Sequence, residues 1–146
     1  MYEEFIKEMY KAFSSVPKPK KSQMTPHRCP ECDDIRDQLY EYTQRELPDK
    51  LLNYHGDALP LLSPEALHYY FPRYIEFSLL HQDANACDNV LYHLAPDEDK
   101  DYWEPRINIF TKEQKEIFIK YLEIRKTFED AEFDEEYISK GLKTWV

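Results

Sequence analysis

The stretch Ser63–His81, SPEALHYYFPRYIEFSLLH, decides the fold that the sequence predicts. Ser63 is a good helix N-cap, and Pro64 suits the first helical position, where its missing N–H costs no hydrogen bond. The residues that follow are apolar on nearly every face, which is typical of a helix in the centre of a bundle. Pro72 lies inside the stretch and should kink the helix or split it in two. We therefore predict a long, Pro72-kinked central helix.

Helical spacing of apolar residues recurs on both sides of this central helix. It predicts further helices over 2–14, 32–43, 47–54, 85–94, 111–128 and 134–143. The stretch 95–110 is acidic, contains two prolines and is expected to be loop, while the Pro- and Lys-rich stretch 14–30 is expected to be a linker. The sum is an all-α, compact single-domain bundle of six to seven helices that spans residues 1–146.

Glycine is scarce, with only Gly56 and Gly141 in 146 residues. A Rossmann fingerprint, a P-loop and a Ser-centred nucleophile elbow each need two or more glycines close together, so the sequence excludes all three. Hairpin-rich sandwiches and barrels are disfavoured for the same reason, because their tight turns use glycine. No other catalytic signature is present, and we predict that the protein is not an enzyme.

The net charge of −10 is unevenly distributed along the chain. Residues 1–28 carry six basic and three acidic side chains, which leaves a net charge of −13 on residues 29–146. Such a surface repels nucleic acid and anionic membranes, because phosphate binding depends on Lys and Arg. It attracts a basic protein. We expect a basic protein partner, with no nucleic acid and no membrane.

The acidic stretch 97–104 also contains two aromatic residues that no helical periodicity explains. Aromatic side chains among carboxylates can anchor a cationic partner through packing and cation–π contact. The alternative is that Trp103 fills a gap beneath a loop. The candidate partner-binding residues are Asp97, Glu98, Asp99, Asp101, Tyr102, Trp103 and Glu104. A second acidic run covers 129–136 and contains no basic residue.

The spacing His27-x-Cys29-x-x-Cys32 offers two thiolates and one imidazole, the ligand types that zinc prefers. A structural zinc site needs a fourth ligand from elsewhere in the chain, and the candidates are Cys87, His55, His68, His81 and His93. A redox role for the cysteine pair is less favoured, because no βαβ unit surrounds it. The remaining alternative is that both cysteines are small residues that pack the second helix. We commit to no metal ligand and no cofactor, and keep zinc open.

Other polar groups allow a structural and a chemical interpretation. Asp33 and Asp37 lie one helical turn apart beside Arg36, where they could hold Mg²⁺ or simply complement the helix dipole. His68 and His93 lie next to tyrosines on apolar helices. Either could be a general base, but no nucleophile accompanies it, and we favour core histidines.

The compartment follows from what the sequence lacks. Charged residues interrupt the first 16 positions, which therefore lack the apolar run of a secretory signal. No apolar stretch reaches the length of a membrane span. Three cysteines do not make a disulfide framework. We expect a cytoplasmic protein with reduced thiols.

Three segments resemble an uncharacterised bacterial family that carries only a domain-of-unknown-function label. HRCPECDDIRD at 27–37 is similar to its Cys-x-x-Cys-Asp-x-Ile/Val-Arg-Asp segment, and LSPEALHYYFP at 62–72 to its Leu-Ser/Thr-Pro-Glu-Ala … Tyr-Tyr-x-Pro segment. LYHL at 91–94 with FTKEQ at 110–114 resembles the start of its closing helix. A Trp expected near 40–47 is absent, and residues 1–26 and the acidic tail lie outside the resemblance. The resemblance implies a small bacterial cytoplasmic domain and no established activity.

Together these features favour a non-catalytic protein-binding module. In its most specific form it is an acidic immunity-type protein, or inhibitor, that neutralises a basic toxin domain. One alternative is a small zinc-binding protein organised by His27, Cys29 and Cys32, or an unrecognised enzyme built on them. Another is a housekeeping interaction domain with an unrelated partner. Zinc content separates the metal hypothesis from the binding hypotheses, and a toxin gene beside this one would favour the immunity role.

Overall fold

The structure, a computed structural model, describes all residues from Met1 to Val146. It has no strands and is 66% helical, which confirms the all-α class. The α-helices are α1 (Glu3–Ala12), α2 (Pro30–Tyr40), α3 (Asp49–Tyr54), α4 (Pro64–Leu80), α5 (Asn85–His93), α6 (Lys100–Asn108), α7 (Lys112–Arg125) and α8 (Glu135–Trp145). Three 3-10 helices cover Lys21–Gln23, Leu59–Leu61 and Ala131–Asp134. None of the helices has both the length and the apolar character that crossing a bilayer requires.

Contacts divide the chain into two compact units. Unit 1 consists of Met1–Ser14 and Leu91–Val146, and unit 2 consists of Ser15–Val90. The single-domain organisation of residues 1–146 stays a prediction.

Helix α4 is the longest helix and lies in unit 2. The Ser63 hydroxyl accepts the backbone N–H of Ala66 at 3.0 Å, and Pro64 follows at the first helical position, as the sequence predicts. Pro72 does not split the helix, which runs without interruption to Leu80. Twelve of its 17 residues are buried. Because burial on nearly every face stabilises each turn, packing offsets the ~3 kcal/mol that an internal proline costs.

Buried tyrosines of α4 place their hydroxyl groups against polar backbone atoms of unit 2. The bonds join Tyr69 Oη to the Gln44 N–H at 3.2 Å, Tyr70 Oη to the Leu39 and Tyr42 carbonyls at 2.9 and 3.0 Å, and Tyr74 Oη to the His55 carbonyl at 2.9 Å. Burial raises the pKa of both Tyr70 and Tyr74 above its ordinary value. The three tyrosines therefore belong to the core of unit 2, with their hydroxyl groups hydrogen-bonded.

The Pro- and Lys-rich stretch that was expected to be a linker is attached to the rest of unit 2 over residues 15–30. Met24 is fully buried, and its carbonyl accepts the backbone N–H of Ser63 at 2.9 Å. The Ser63 hydroxyl donates to the Gln23 carbonyl at 2.6 Å. The residue that caps α4 therefore also holds the linker, which belongs to the body of unit 2.

Unit 1 contains a cluster of edge-to-face aromatic rings. Phe110 and Phe118 lie 4.7 Å apart between centroids, and Trp145 lies 4.9 Å from Phe118. The indole N–H of Trp145 donates to the Leu94 carbonyl at 2.8 Å. At the start of α7, Thr111 and Gln114 form a capping box, and Gln114 Nε2 also donates to the Ala12 carbonyl at 3.1 Å.

The expectation of a loop over 95–110 is wrong, because α6 covers Lys100–Asn108. The Asp99 carboxylate caps this helix by accepting the backbone N–H of Tyr102 at 3.4 Å. Arg106, which is only 4% exposed, gives α6 a buried face although the segment has few apolar residues. Pro105 lies inside this helix without ending it. With α6 the chain has eight α-helices, whereas six to seven were expected.

Candidate partner-binding surface

The candidate residues lie at the start of α6 in unit 1. We call this set, Asp97, Glu98, Asp99, Asp101, Tyr102, Trp103 and Glu104, the α6 acidic surface. All five of its carboxylate residues are exposed, and both aromatic residues are half-buried. The seven positions predicted from the sequence are therefore brought together on one short segment, as a capped helix start rather than as a loop.

The carboxylates of the α6 acidic surface make no ion pair with a basic side chain of the chain. Carboxylates elsewhere do have such partners. Asp49 lies 2.6 Å from the Arg73 guanidinium, and Asp134 lies 3.1 Å from Arg125. The negative charge at α6 is therefore not paired with a basic side chain of the protein.

Trp103 is held in a defined orientation. Its indole N–H donates to Asp97 Oδ1 at 2.9 Å. Its ring lies 4.8 Å from the imidazole of His93 and 4.9 Å from the ring of Tyr102, measured between centroids. Trp103 thus combines the two alternatives weighed above, because part of its side chain packs on the protein and part faces solvent.

His93 and Arg106 lie beneath the two aromatic residues. Arg106 Nη1 is 3.4 Å from His93 Nε2, and its guanidinium carbon is 4.4 Å from the centre of the Tyr102 ring. Burial, helped by the positive charge of Arg106, lowers the pKa of His93 to about 3. The imidazole is therefore neutral and can accept the Arg106 N–H. This confirms His93 as a core residue.

Arg106 is the residue of this site that sequence reasoning missed. Its position four residues after Tyr102, one turn along a helix, was the available signal. The acidic residues and Pro105 of the segment obscure this spacing, because both features are typical of a loop.

The second acidic run, 129–136, is also in unit 1. Phe133 is 77% exposed in the middle of it, within the 3-10 helix Ala131–Asp134. Arg125, which is 2% exposed, binds Asp134 and also donates to Tyr121 Oη at 3.1 Å. One carboxylate of this run is therefore part of the internal structure of unit 1.

The cysteine motif lies at the start of α2 in unit 2. Cys29 is the N-cap residue, and its Sγ accepts the backbone N–H of Cys32 at 3.3 Å. Cys32 is buried, at 1% exposure, while Cys29 is half-buried and His27 is exposed. Burial, followed by the hydrogen bond with the Cys29 side chain, raises the pKa of Cys32 to about 11. Cys29 therefore caps α2, and Cys32 packs on its buried side.

A fourth zinc ligand is not assembled around this motif. The structure contains no group of three or more His, Cys, Asp or Glu side chains placed to hold a metal ion. His55 Nε2 lies 2.7 Å from Gln38 Oε1, and His81 Nε2 lies 3.6 Å from Asp49 Oδ2. His68 is half-buried on α4, and Cys87 is buried on α5. Zinc binding through His27, Cys29 and Cys32 stays an untested alternative.

Arg36 joins the two carboxylates that were candidates for Mg²⁺. Its guanidinium donates to Asp33 Oδ1 at 3.0 Å and to Asp37 Oδ1 at 2.9 Å. Hydrogen bonding to Arg36 lowers the pKa of Asp37. Because each carboxylate already has a cationic partner, this arrangement favours the structural interpretation.

The comparisons with known proteins add a family and no activity. No curated protein and no solved structure matches the chain. A family model does match it, over residues 1–146, so the family extends over the first 26 residues and the acidic tail, which the motif resemblance left outside. Membership of a domain-of-unknown-function family, expected from the motifs at 27–37 and 62–72, is confirmed: the chain belongs to the family of unknown function DUF6714.

Proposed function

We propose that this protein is a non-catalytic binding module that uses the α6 acidic surface to recognise a basic protein. The observation that carries the proposal is the cluster of exposed carboxylates without ion pairs around Trp103, whose ring is held by Asp97 and His93. A cationic protein can pair with carboxylates that make no ion pair within the chain, and it can pack on an aromatic ring whose orientation is fixed.

The carboxylates would act mainly on the approach of the partner. Exposed charges act over about one Debye length, ~8 Å at physiological ionic strength. Their attraction therefore raises the association rate of a basic protein and weakens as salt is added.

Trp103 would act mainly on the lifetime of the complex. A half-buried indole that is already oriented loses little conformational freedom when a partner covers the rest of it. Covering it removes apolar area from water and allows a cation–π contact with Lys or Arg of the partner. Such aromatic residues dominate dissociation rates in many interfaces.

In the most specific version of the proposal, the partner is a basic toxin domain and this chain is its immunity-type inhibitor in the bacterial cytoplasm. The acidic surface and the lack of a catalytic signature support this version. A basic protein encoded beside this gene is the candidate partner to test. Expression of this basic protein in a bacterial host should arrest growth. Co-expression of the wild-type chain should relieve the arrest, and co-expression of a chain that carries Trp103→Ala should not.

The kinetic test compares two variants with the same change of charge. The first combines Glu98→Gln, Asp101→Asn and Glu104→Gln. It spares Asp97 and Asp99, whose carboxylates hold Trp103 and cap α6. The matched control combines Glu129→Gln, Asp130→Asn and Glu132→Gln, which are exposed, make no ion pair and lie in the second acidic run.

With the partner protein immobilised, association and dissociation are measured at several salt concentrations. The first triple variant should associate about tenfold more slowly at low salt, with dissociation little changed. Trp103→Ala should instead raise the dissociation rate, at a cost on the order of 2 kcal/mol. Equal effects of the two triple variants would mean that only net charge matters. A partner indifferent to salt and to every variant would refute the α6 surface.

A further inference from the structure

The start of α2 brings two thiols together with different exposure. Cys29 has an extended backbone, with φ −155° and ψ 164°, so its side chain folds back over the first turn of the helix. Its Sγ lies 3.3 Å from the backbone nitrogen of Cys32, the residue that carries the second thiol. Residues three apart on a helix have Cβ atoms about 5–6 Å apart. A disulfide needs ~3.5–4.5 Å. Cys29 is the N-cap residue and has an extended backbone, so this helical spacing does not fix its separation from Cys32.

The difference in exposure assigns a different role to each thiol. Cys29 is half-buried and can be reached from solvent, whereas Cys32 is 1% exposed and lies on the buried side of α2 with Ile35 and Leu39. A disulfide in solution can therefore react with Cys29 before it reaches Cys32. Cys32 is then placed to attack the mixed disulfide from within, and a second outside thiol has little access to compete with it.

The Cys29 side chain also lies at the start of an 11-residue helix, where its sulfur accepts the backbone N–H of Cys32. The cysteine pair has no βαβ unit around it, the usual setting of a redox dithiol. A capped helix start provides the same arrangement of one accessible and one buried thiol without a sheet.

We propose that Cys29 and Cys32 form a redox-active dithiol that is oxidised to an intramolecular disulfide by exchange with low-molecular-weight disulfides. The site is independent of the partner binding proposed for α6 and goes beyond it. The pair is oxidised and reduced as a unit, so it reports or buffers the thiol–disulfide state of its surroundings.

The exchange proceeds in two balanced steps. The Cys29 thiol releases its proton to water, and the thiolate attacks one sulfur of glutathione disulfide, whose S–S bond breaks. One glutathione leaves as a thiolate and takes up a proton, which leaves Cys29 joined to the other glutathione. The Cys32 thiol then loses its proton and attacks Cys29 Sγ, so that the second glutathione leaves and is protonated. The chain has lost two hydrogen atoms, and one glutathione disulfide has become two glutathiones.

The test uses the full chain and glutathione disulfide, with EDTA present so that bound metal cannot protect the thiols. After reaction, the protein is unfolded in N-ethylmaleimide, and intact mass and peptide mapping locate free thiols, adducts and disulfides. Wild type should lose two hydrogen atoms, gain a Cys29–Cys32 disulfide and take up a single maleimide, on Cys87. Reduction with excess glutathione should restore three maleimide sites.

Single substitutions separate the two thiols. Cys32→Ser should accumulate a stable glutathione adduct on Cys29, because the second step is lost. Cys29→Ser retains an N-cap hydroxyl for α2 and should form no adduct in the native state, because Cys32 and Cys87 are both buried. Cys87→Ser should behave as wild type, and circular dichroism checks that each variant is folded.

Two results would overturn the proposal. The first is wild type that accumulates the Cys29 adduct without closing the internal disulfide. The second is wild type that keeps all three thiols at glutathione ratios that fully oxidise a thioredoxin-type dithiol. Either result is informative whether or not the variants fold, because it is read on the wild-type chain, and neither bears on partner binding at α6.

Discussion

Asp97 Oδ1 accepts two hydrogen bonds at 2.9 Å, one from the indole N–H of Trp103 and one from the backbone N–H of Asp99. A single carboxylate therefore holds both the aromatic ring of the α6 acidic surface and the turn that leads into the helix. Asp97 contributes orientation as well as charge, which distinguishes it from Glu98 and Glu104.

Removing the Asp97 carboxylate should loosen Trp103. In Asp97→Ala the indole N–H loses its acceptor and turns toward water, so Trp103 emission should shift to longer wavelength and its anisotropy should fall. Asp97→Asn retains an acceptor oxygen and should resemble wild type. The Trp145 contribution is subtracted with the spectrum of Trp103→Phe. Identical spectra for wild type and Asp97→Ala would show that this bond does not hold the ring.

Gly141 should not tolerate a methyl group. A Cβ there would lie 2.8 Å from Leu122 Cδ1 and 2.9 Å from the Leu94 carbonyl oxygen, which also accepts the Trp145 indole N–H. Alanine favours a helix by ~1 kcal/mol over glycine, but overpacking costs ~1–3 kcal/mol. We expect Gly141→Ala to lower the free energy of unfolding, measured in urea.

The matched control for that substitution is Lys140→Ala, at the preceding exposed position of α8. It should change the free energy of unfolding by less than ~0.5 kcal/mol. A Gly141→Ala variant more stable than wild type would contradict this prediction. It would mean that the Leu94 carbonyl can move away from the added methyl group at no cost in free energy.

Acid should destabilise the protein partly through His93. Burial lowers its folded-state pKa to about 3, below the ~6.5 of an unfolded chain, so the unfolded state binds the extra proton. The stabilising contribution is fully present above about pH 6.5 and is lost as the pH falls toward 3. At pH 5 the loss is on the order of 2 kcal/mol.

His93→Gln should therefore flatten the decline of the free energy of unfolding between pH 6.5 and 4. Carboxylates contribute equally to both proteins, so the difference between their pH curves isolates His93. Parallel curves for His93→Gln and wild type would mean that His93 protonates without unfolding the site.

Substitutions at Cys29 separate a helix cap from a zinc ligand. If capping is its role, Cys29→Ser should be about as stable as wild type, and Cys29→Ala should lose ~1 kcal/mol. If Cys29 holds zinc with His27 and Cys32, both variants should lose the metal and stability together, and a chelator should destabilise wild type. Elemental analysis and thermal unfolding with and without EDTA distinguish these outcomes, and we expect the first.

The parts of the fold that could be predicted from the sequence depend on contacts within one helical turn. Ser63 with Pro64 begins α4, and Thr111 with Gln114 begins α7, as their spacing indicates. A cap and an apolar stripe are complete within a few neighbouring residues, so a linear pattern contains all the information that they need.

Helix α6 could not be predicted in the same way. Its residues are acidic and include Pro105, and both features are typical of a loop. The helix is supported by Arg106, which packs on Tyr102 and reaches His93, 13 positions earlier in the chain. The seven residues of the α6 acidic surface were identified from composition, but their helical arrangement and the support beneath Trp103 were not.

The sequence by itself determined an all-helical chain, its main caps, its negative charge and the spacing of Cys29 and Cys32. Only the tertiary structure decided that Pro72 stays within an unbroken helix, that Arg106 is buried, and that Cys29 is accessible while Cys32 is not. The physical reason is the range of the interactions. Hydrogen bonds that form a helix join residues four apart, whereas burial and charge compensation depend on residues that folding brings together from distant positions.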